Sequence, residues 1–401
     1  MHHDDHRSLG NRLDLFHQQE EGPGMVFWHP RGFALYHIIE QYIRRRMQEA
    51  GYREVRTPQI LAQSIFEQSG HLEKAGDTMF RFARADGRAW AVKPVSCPGH
   101  IQIFNQRLRS FRDLPIRYCE FGSVHRDEPS GAMLGLLRVR QFTQDDAHVF
   151  CTERQIEAEV QHFCRLQRRI YADFGFDAVA VRFSTRPILR AGSDALWDQA
   201  EAALDAAARA AGLDPIHQEG EGAFYGPKLE FHLQDRLGRW WQCGTIQLDF
   251  VLPVRMGAGY RDEANGRAAP VILHHAVLGS LERFIGILLE QYSGHLPLWL
   301  APEQIVIASI GAAQADYAGE LRDRFVAEGW RATLDDGPET LARKIVAAHE
   351  AGIPVVGVVG AREASDGSVA LRYRDGAQEG LPVAAALARL AALGRPGPGI
   401  G

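Results

Sequence analysis

Up to about residue 300, stretches that alternate apolar and polar side chains are interleaved with stretches of helical spacing. Residues 4–30 read as a short amphipathic helix followed by a Gly-Pro turn. From Gly32 to Ala50 apolar residues recur at helical spacing, and Gly51 is a stop. Tyr52 to Ile60 reads as a strand interrupted by Pro58, a placement that suits a sheet edge or an interface. Trp90–Val92 is a short strand, Cys97 lies in the turn after it, and a helix starts near His100. Strands at Tyr118–Val124 and Arg138–Asp145 flank a polar loop holding Pro129, Ser130, Gly131 and Gly135, which predicts an antiparallel hairpin with an over-long loop. Helices over Thr152–Phe174 and Ser193–Ala211, the second with Ser193 as N-cap and Gly212 as stop, flank a strand at Ala178–Ser184. Strands at Ala223–Leu233 and Trp240–Phe250 follow; after a Gly-rich turn, His274 and His275 end a further strand, and the next helix carries Arg283 in its first turns.

Residues 295–302 read as a link. Beyond it the rhythm becomes strand 304–310, helix 314–329, strand 331–335, helix 339–352, strand 354–359, hairpin strand 368–374 and helix 383–393. That alternation predicts a small mixed sheet with helices on both sides. The division expected is 1–297, 298–394 and a disordered tail, 395–401.

The 401 residues exceed one compact core. No apolar run reaches the roughly 20 residues that span a membrane. The start MHHDDHRSLG has neither a secretory apolar core nor the character of a transit peptide. Five cysteines are an odd, sparse set that fits a reducing compartment, so a cytoplasmic location is expected. The formal charge of −5 argues mildly against a nucleic-acid partner without excluding local basic patches.

The hairpin carries more chemistry than a structural element needs. Arg126, Arg138 and Arg140 and the acids Glu128, Asp145 and Asp146 sit beside the loop, with Phe142 between them. Arginine forks suit phosphate oxygens, a flat ring offers a stacking face, and a carboxylate pairs with an ammonium. Together they suit a triphosphate, a purine and an amino group. Tyr225, Gln242, Thr245 and Gln247, packed between apolar runs, read as pocket-lining groups. Arg283 among Leu281, Phe284 and Ile285 reads as a buried, paired guanidinium. A Gly-x-x-x-x-Gly-Lys loop is absent.

The words HRDEPSG and RVRQFTQDDAH, together with KPVSCPGH, GAFYGPKLEF, WQCGTIQLDF and HHAVLGSLERFIG, resemble the threonyl branch of the class II aminoacyl-tRNA synthetases over nearly the whole chain. The resemblance implies an α+β class II synthetase catalytic domain, an antiparallel sheet with flanking helices, plus a C-terminal α/β anticodon-binding-type domain. It implies ATP-dependent activation of L-threonine and transfer to tRNA(Thr) by a homodimer, without the ubiquitin-like and editing domains that the family usually carries ahead of this core. In these roles Arg126 bridges carboxylate and α-phosphate, Glu128 meets the adenine amino group and Phe142 stacks the ring. Arg138, Gln242 and Thr245 hold other parts of ATP, Arg283 its γ-phosphate, and Mg2+ accompanies the phosphates. Gln144, Asp146, Tyr225 and Gln247 form the amino-acid pocket.

One Zn2+ per subunit is implied at Cys97, His148 and His274. Their spacing alone would never propose a site, and His275 is the neighbouring competitor of His274. A Cys-His-His set leaves an open fourth position, where threonine can chelate through its amine and hydroxyl and valine cannot. Two departures stand out: Val95-Ser96 where the family reads Met-Asn, and Gly337-Pro338-Glu339-Thr340 where it carries basic residues. From Ala301 onward 10 Lys/Arg face 13 Asp/Glu, unhelpful for binding phosphates. A paralogue that passes threonine to a non-tRNA acceptor such as a carrier protein is therefore the alternative reading.

Overall fold

The computed structural model describes residues 5–235 and 237–394. Its centre is an eight-stranded sheet in the spatial order 216–218, 179–184, 228–234, 240–249, 271–280, 141–151, 116–125 and 53–54. The six middle strands pair antiparallel, and the outermost strand at each edge pairs parallel with its neighbour. Helices Pro30–Glu49, Ile156–Asp173, Asp194–Ala210 and Leu281–Gln291 supply buried apolar residues to the main core. A three-stranded sheet, 60–62, 89–92 and 81–83, lies beside it.

The second unit is a five-stranded mixed sheet in the order 332–335, 305–309, 355–359, 368–373, 378–382, with its own cores. This is the βαβ build read from the alternation. The Ala361–Asp366 helix and the edge strand Gln378–Pro382 are elements that reading passed over. Among the described residues no helix is long and apolar enough to cross a membrane.

Several boundaries move. The second hairpin strand is Gln141–Cys151, not Arg138–Asp145; residues 138–140 belong to the loop. The helix expected from His100 begins at Cys97 itself, with Pro98 at its start, where a missing N–H costs nothing. The Ala223–Leu233 strand begins at Lys228, leaving Tyr225 in a loop. His274 and His275 lie mid-strand in Val271–Ser280 rather than at its end. The Tyr52–Ile60 strand is two pieces, Arg53–Glu54 and Ile60–Ala62, belonging to different sheets on either side of Pro58. The first helix is His6–Arg12, capped by Asp5, whose side chain accepts from the Arg7 amide. The 395–401 tail expected to be disordered lies outside the described residues.

Candidate active site

One strand carries much of the site through its pleat. Side chains two apart share a face, so Gln141–Cys151 presents Phe142, Gln144, Asp146 and His148 in a row. Asp145 points the other way. It is buried, and its carboxylate accepts from the amides of Val277, Leu278 and Gly279, where the pairing of strand 271–280 is interrupted. It holds backbone and is not a ligand-facing acid, contrary to its grouping with Glu128 and Asp146. Across the row, His148 pairs with His274 and His274 with Gln247.

On strand 240–249, register jumps from Phe231↔Gly244 to His232↔Gln242. The extra residue, Cys243, inverts the parity of everything before it, so Gln242 joins the face of Thr245 and Gln247. A cleft of about 390 Å³ is lined by Arg126, Glu128, Arg138, Phe142, Gln144, Gln242, Thr245, Gln247 and Arg283. Lys228, which the sequence reading did not single out, lines it too.

The cleft's arginines are held by the fold. The Arg126 guanidinium lies 5.2 Å from the Phe142 ring centre, and its Nε donates to the Pro94 carbonyl at 3.2 Å. Arg138 pairs with Glu128 at 2.8 Å. Arg283 donates to the carbonyls of Leu137 at 2.9 Å and Gln242 at 2.8 Å. It is therefore paired with backbone, not with a carboxylate. Burial lowers the pKa of Arg126 and Arg283, which marks charges that lack full solvation.

Deeper in, Cys97, His148 and His274 bring one donor atom each within 4.8 Å of one another, and all three are buried. His148 uses Nδ1 on His100 Nδ1 at 2.8 Å; His100 Nε2 in turn meets Glu120 at 3.1 Å. His274 uses Nε2 on Asp249 at 2.8 Å. Each ligand-type imidazole thus has one nitrogen tied to an outer group and the other left for a metal, the arrangement that orients metal-bound histidines. Burial pushes His148 well below its usual range, keeping the ring neutral, and pushes the Cys97 thiol well above its own. Two imidazoles, that of His148 held neutral, and a thiol that gives up its proton to a cation fit a zinc-type donor set. His275, on the opposite face, bonds the Tyr52 hydroxyl at 2.8 Å and lies outside this set. Tyr225 packs on His274 at 4.9 Å and donates to Gln247 from its loop. His71 was missed: its Nε2 lies 3.6 Å from Cys97 Sγ, and nothing in its local spacing signals this.

An antiparallel sheet with a basic, aromatic cleft on one face, joined to a separate mixed sheet, is the architecture of a class II aminoacyl-tRNA synthetase, and the chain belongs to that family. The tRNA synthetase class II core domain (G, H, P, S and T) matches residues 80–292, and the anticodon binding domain matches residues 304–393. Within the family, the chain is similar to threonine--tRNA ligase of Caulobacter sp. (strain K31), 58% identical over 372 residues, which are 93% of this chain and 56% of that ligase. It therefore spans little more than half the length of that relative. The crystal structure of the RNA binding domain of threonyl-tRNA synthetase from Cryptosporidium parvum Iowa II superposes with a TM-score of 0.95 at 39% identity, covering 97% of this chain and 98% of that one. The putative threonyl-tRNA synthetase ThrRS-1 from Aeropyrum pernix gives 0.84 at 30%, covering 97% and 94%.

Proposed function

We propose that the chain activates L-threonine with ATP and transfers it to tRNA(Thr). The observation that carries this reading is the adjacency of the two halves of the site: the Cys97–His148–His274 donor set adjoins, along one sheet face, a cleft suited to ATP. Phe142 stacks the adenine, Glu128 meets its amino group, and Arg138, Gln242 and Thr245 hold the rest of the nucleotide. Arg283 neutralises the γ-phosphate, which enters with Mg2+. Arg126 spans the threonine carboxylate and the α-phosphate, so that the carboxylate attacks phosphorus in line and pyrophosphate leaves. Such a step is accelerated by orientation and charge neutralisation. Asp146, Gln144, Tyr225 and Gln247 hold the amino acid, and the tRNA terminal ribose hydroxyl then attacks the adenylate. Cys97, His148 and His274 would hold one Zn2+, which would supply a Lewis-acid centre to the substrate amine and hydroxyl.

The match over residues 304–393 supports a tRNA acceptor rather than a carrier protein. The division at residues 297/298 accords with the two separate sheets. Phe27 and Phe33, 39% and 46% exposed around the start of the 30–49 helix, suit a homodimer contact. The free cysteines fit a cytoplasmic enzyme. Threonine-dependent ATP–pyrophosphate exchange followed by charging of threonine tRNA tests the reading. Exchange without charging of a competent tRNA would return the carrier-protein alternative, and no exchange would end both.

A further inference from the structure

A buried cluster at the start of the chain is left unexplained by this chemistry. Asp5, His6 and Glu290 bring ligand-type atoms within 4.8 Å of one another. Yet those atoms are already engaged. Both Asp5 carboxylate oxygens are held by Arg7 at 2.9 Å. His6 Nε2 accepts from the Leu136 amide at 3.1 Å, which places the ring hydrogen on Nδ1, and Nδ1 donates to Glu290 at 2.7 Å. His6 and Glu290 are 0% and 1% exposed.

Leu136 belongs to the loop between strands 116–125 and 141–151. The next residue, Leu137, gives its carbonyl to Arg283 and, with Arg138, lines the nucleotide cleft. The preceding one, Gly135, has φ +51, and a Cβ there would lie 2.2 Å from His6 Nε2. The same N-terminal stretch holds the far end of the loop, where the Arg140 amide donates to the Gly24 carbonyl at 2.7 Å. Leu136 and Leu137 are also packed into the main core, a contact without direction of its own. A hydrogen bond to one amide, from a ring fixed by a buried carboxylate, pins the loop.

We propose that His6, oriented by Glu290, is a positioning residue for ATP: it fixes the Leu136–Arg138 backbone, and through it Arg283, in the geometry the triphosphate meets. The proposal rests on reading that cleft as the ATP site.

The test measures MgATP binding by calorimetry on the full chain, and the KM values for ATP and threonine in pyrophosphate exchange. His6→Ala should weaken MgATP binding and raise the ATP KM about tenfold or more, since small misplacements of binding groups cost that much. The threonine KM should stay within roughly twofold. His6→Gln, which can accept from Leu136 and donate to Glu290, should restore ATP binding. Should His6→Ala fail to fold, His6→Gln against His6→Met, similar in size but without the acceptor, decides by the same measure. Unchanged MgATP binding, an equal rise in both KM values, or no recovery with Gln overturns the proposal. Because calorimetry needs no amino acid, a wild-type chain that binds MgATP without threonine-dependent exchange would refute the proposed function and leave this inference standing.

Discussion

His148 and His274 face each other across adjacent strands, their rings 4.7 Å apart and 82° from coplanar. The contact is set by register, and helix Cys97–Asn105 brings its first residue to the same point. Metal analysis of the purified wild type should find roughly one zinc per chain, and Cys97→Ala or His148→Ala should abolish it. His100→Ala, which releases the outer nitrogen of His148 and also removes a partner of Glu120, should lower zinc affinity by about 10- to 100-fold in a chelator competition. Retention of full zinc by Cys97→Ala would count against the donor set.

Arg283 is held by two carbonyls in a forked geometry that lysine cannot copy. Arg283→Ala and Arg283→Lys should both cut kcat/KM for ATP, by roughly 10- to 100-fold, about 1.4–2.7 kcal/mol. Recovery with lysine would mean that charge alone matters there.

Amino-acid discrimination should be lopsided. Valine, lacking the hydroxyl, should be activated about 10⁴-fold less efficiently than threonine. Serine keeps the hydroxyl and lacks one methyl, so its penalty should be only about 10- to 200-fold. Exchange assays with the three amino acids side by side check this, and equal use of valine and serine would contradict it.

Acid should loosen the support beneath the site. Burial pushes the Glu120 carboxyl up, but His100, the Thr57 amide and Lys93 outweigh it, and it sits at about 2 against an ordinary 4.5. Because the folded value is the lower one, its contribution is fully present above pH 4.5 and is lost as pH falls toward 2. That is roughly 3 kcal/mol at most. Melting temperature should therefore fall more steeply for wild type than for Glu120→Gln between those limits. At neutral pH Glu120→Gln should be less stable, because it leaves the buried Lys93 ammonium without its charge partner.

Much was legible where the physics is local. Apolar spacing located the Pro30–Glu49 helix, Ser193 marked a cap whose side chain accepts from the Leu196 amide, and strand–helix alternation after residue 302 described the second sheet closely. Pleat alternation alone puts Phe142, Gln144, Asp146 and His148 on one face, and the same rule turns Asp145 and His275 away from it. The misplaced boundaries lie where tertiary contacts overrule local preference. Residues 138–140 alternate like a strand, but the Leu134 amide turns back to the Arg138 carbonyl and the Arg140 amide bonds Gly24.

The chain's own pattern of side chains thus specified the elements, their facing and the kinds of chemistry available, because alternation and helical spacing act between near neighbours. Which distant groups meet was left to packing. The His148–His274 register, the approach of His71 to Cys97, the inserted Cys243 that turns Gln242 inward and the grip of His6 on Leu136 are contacts between segments far apart in sequence. A pairing between strands depends on every strand already in the sheet, and a bulge of one residue leaves no periodic trace to read beforehand.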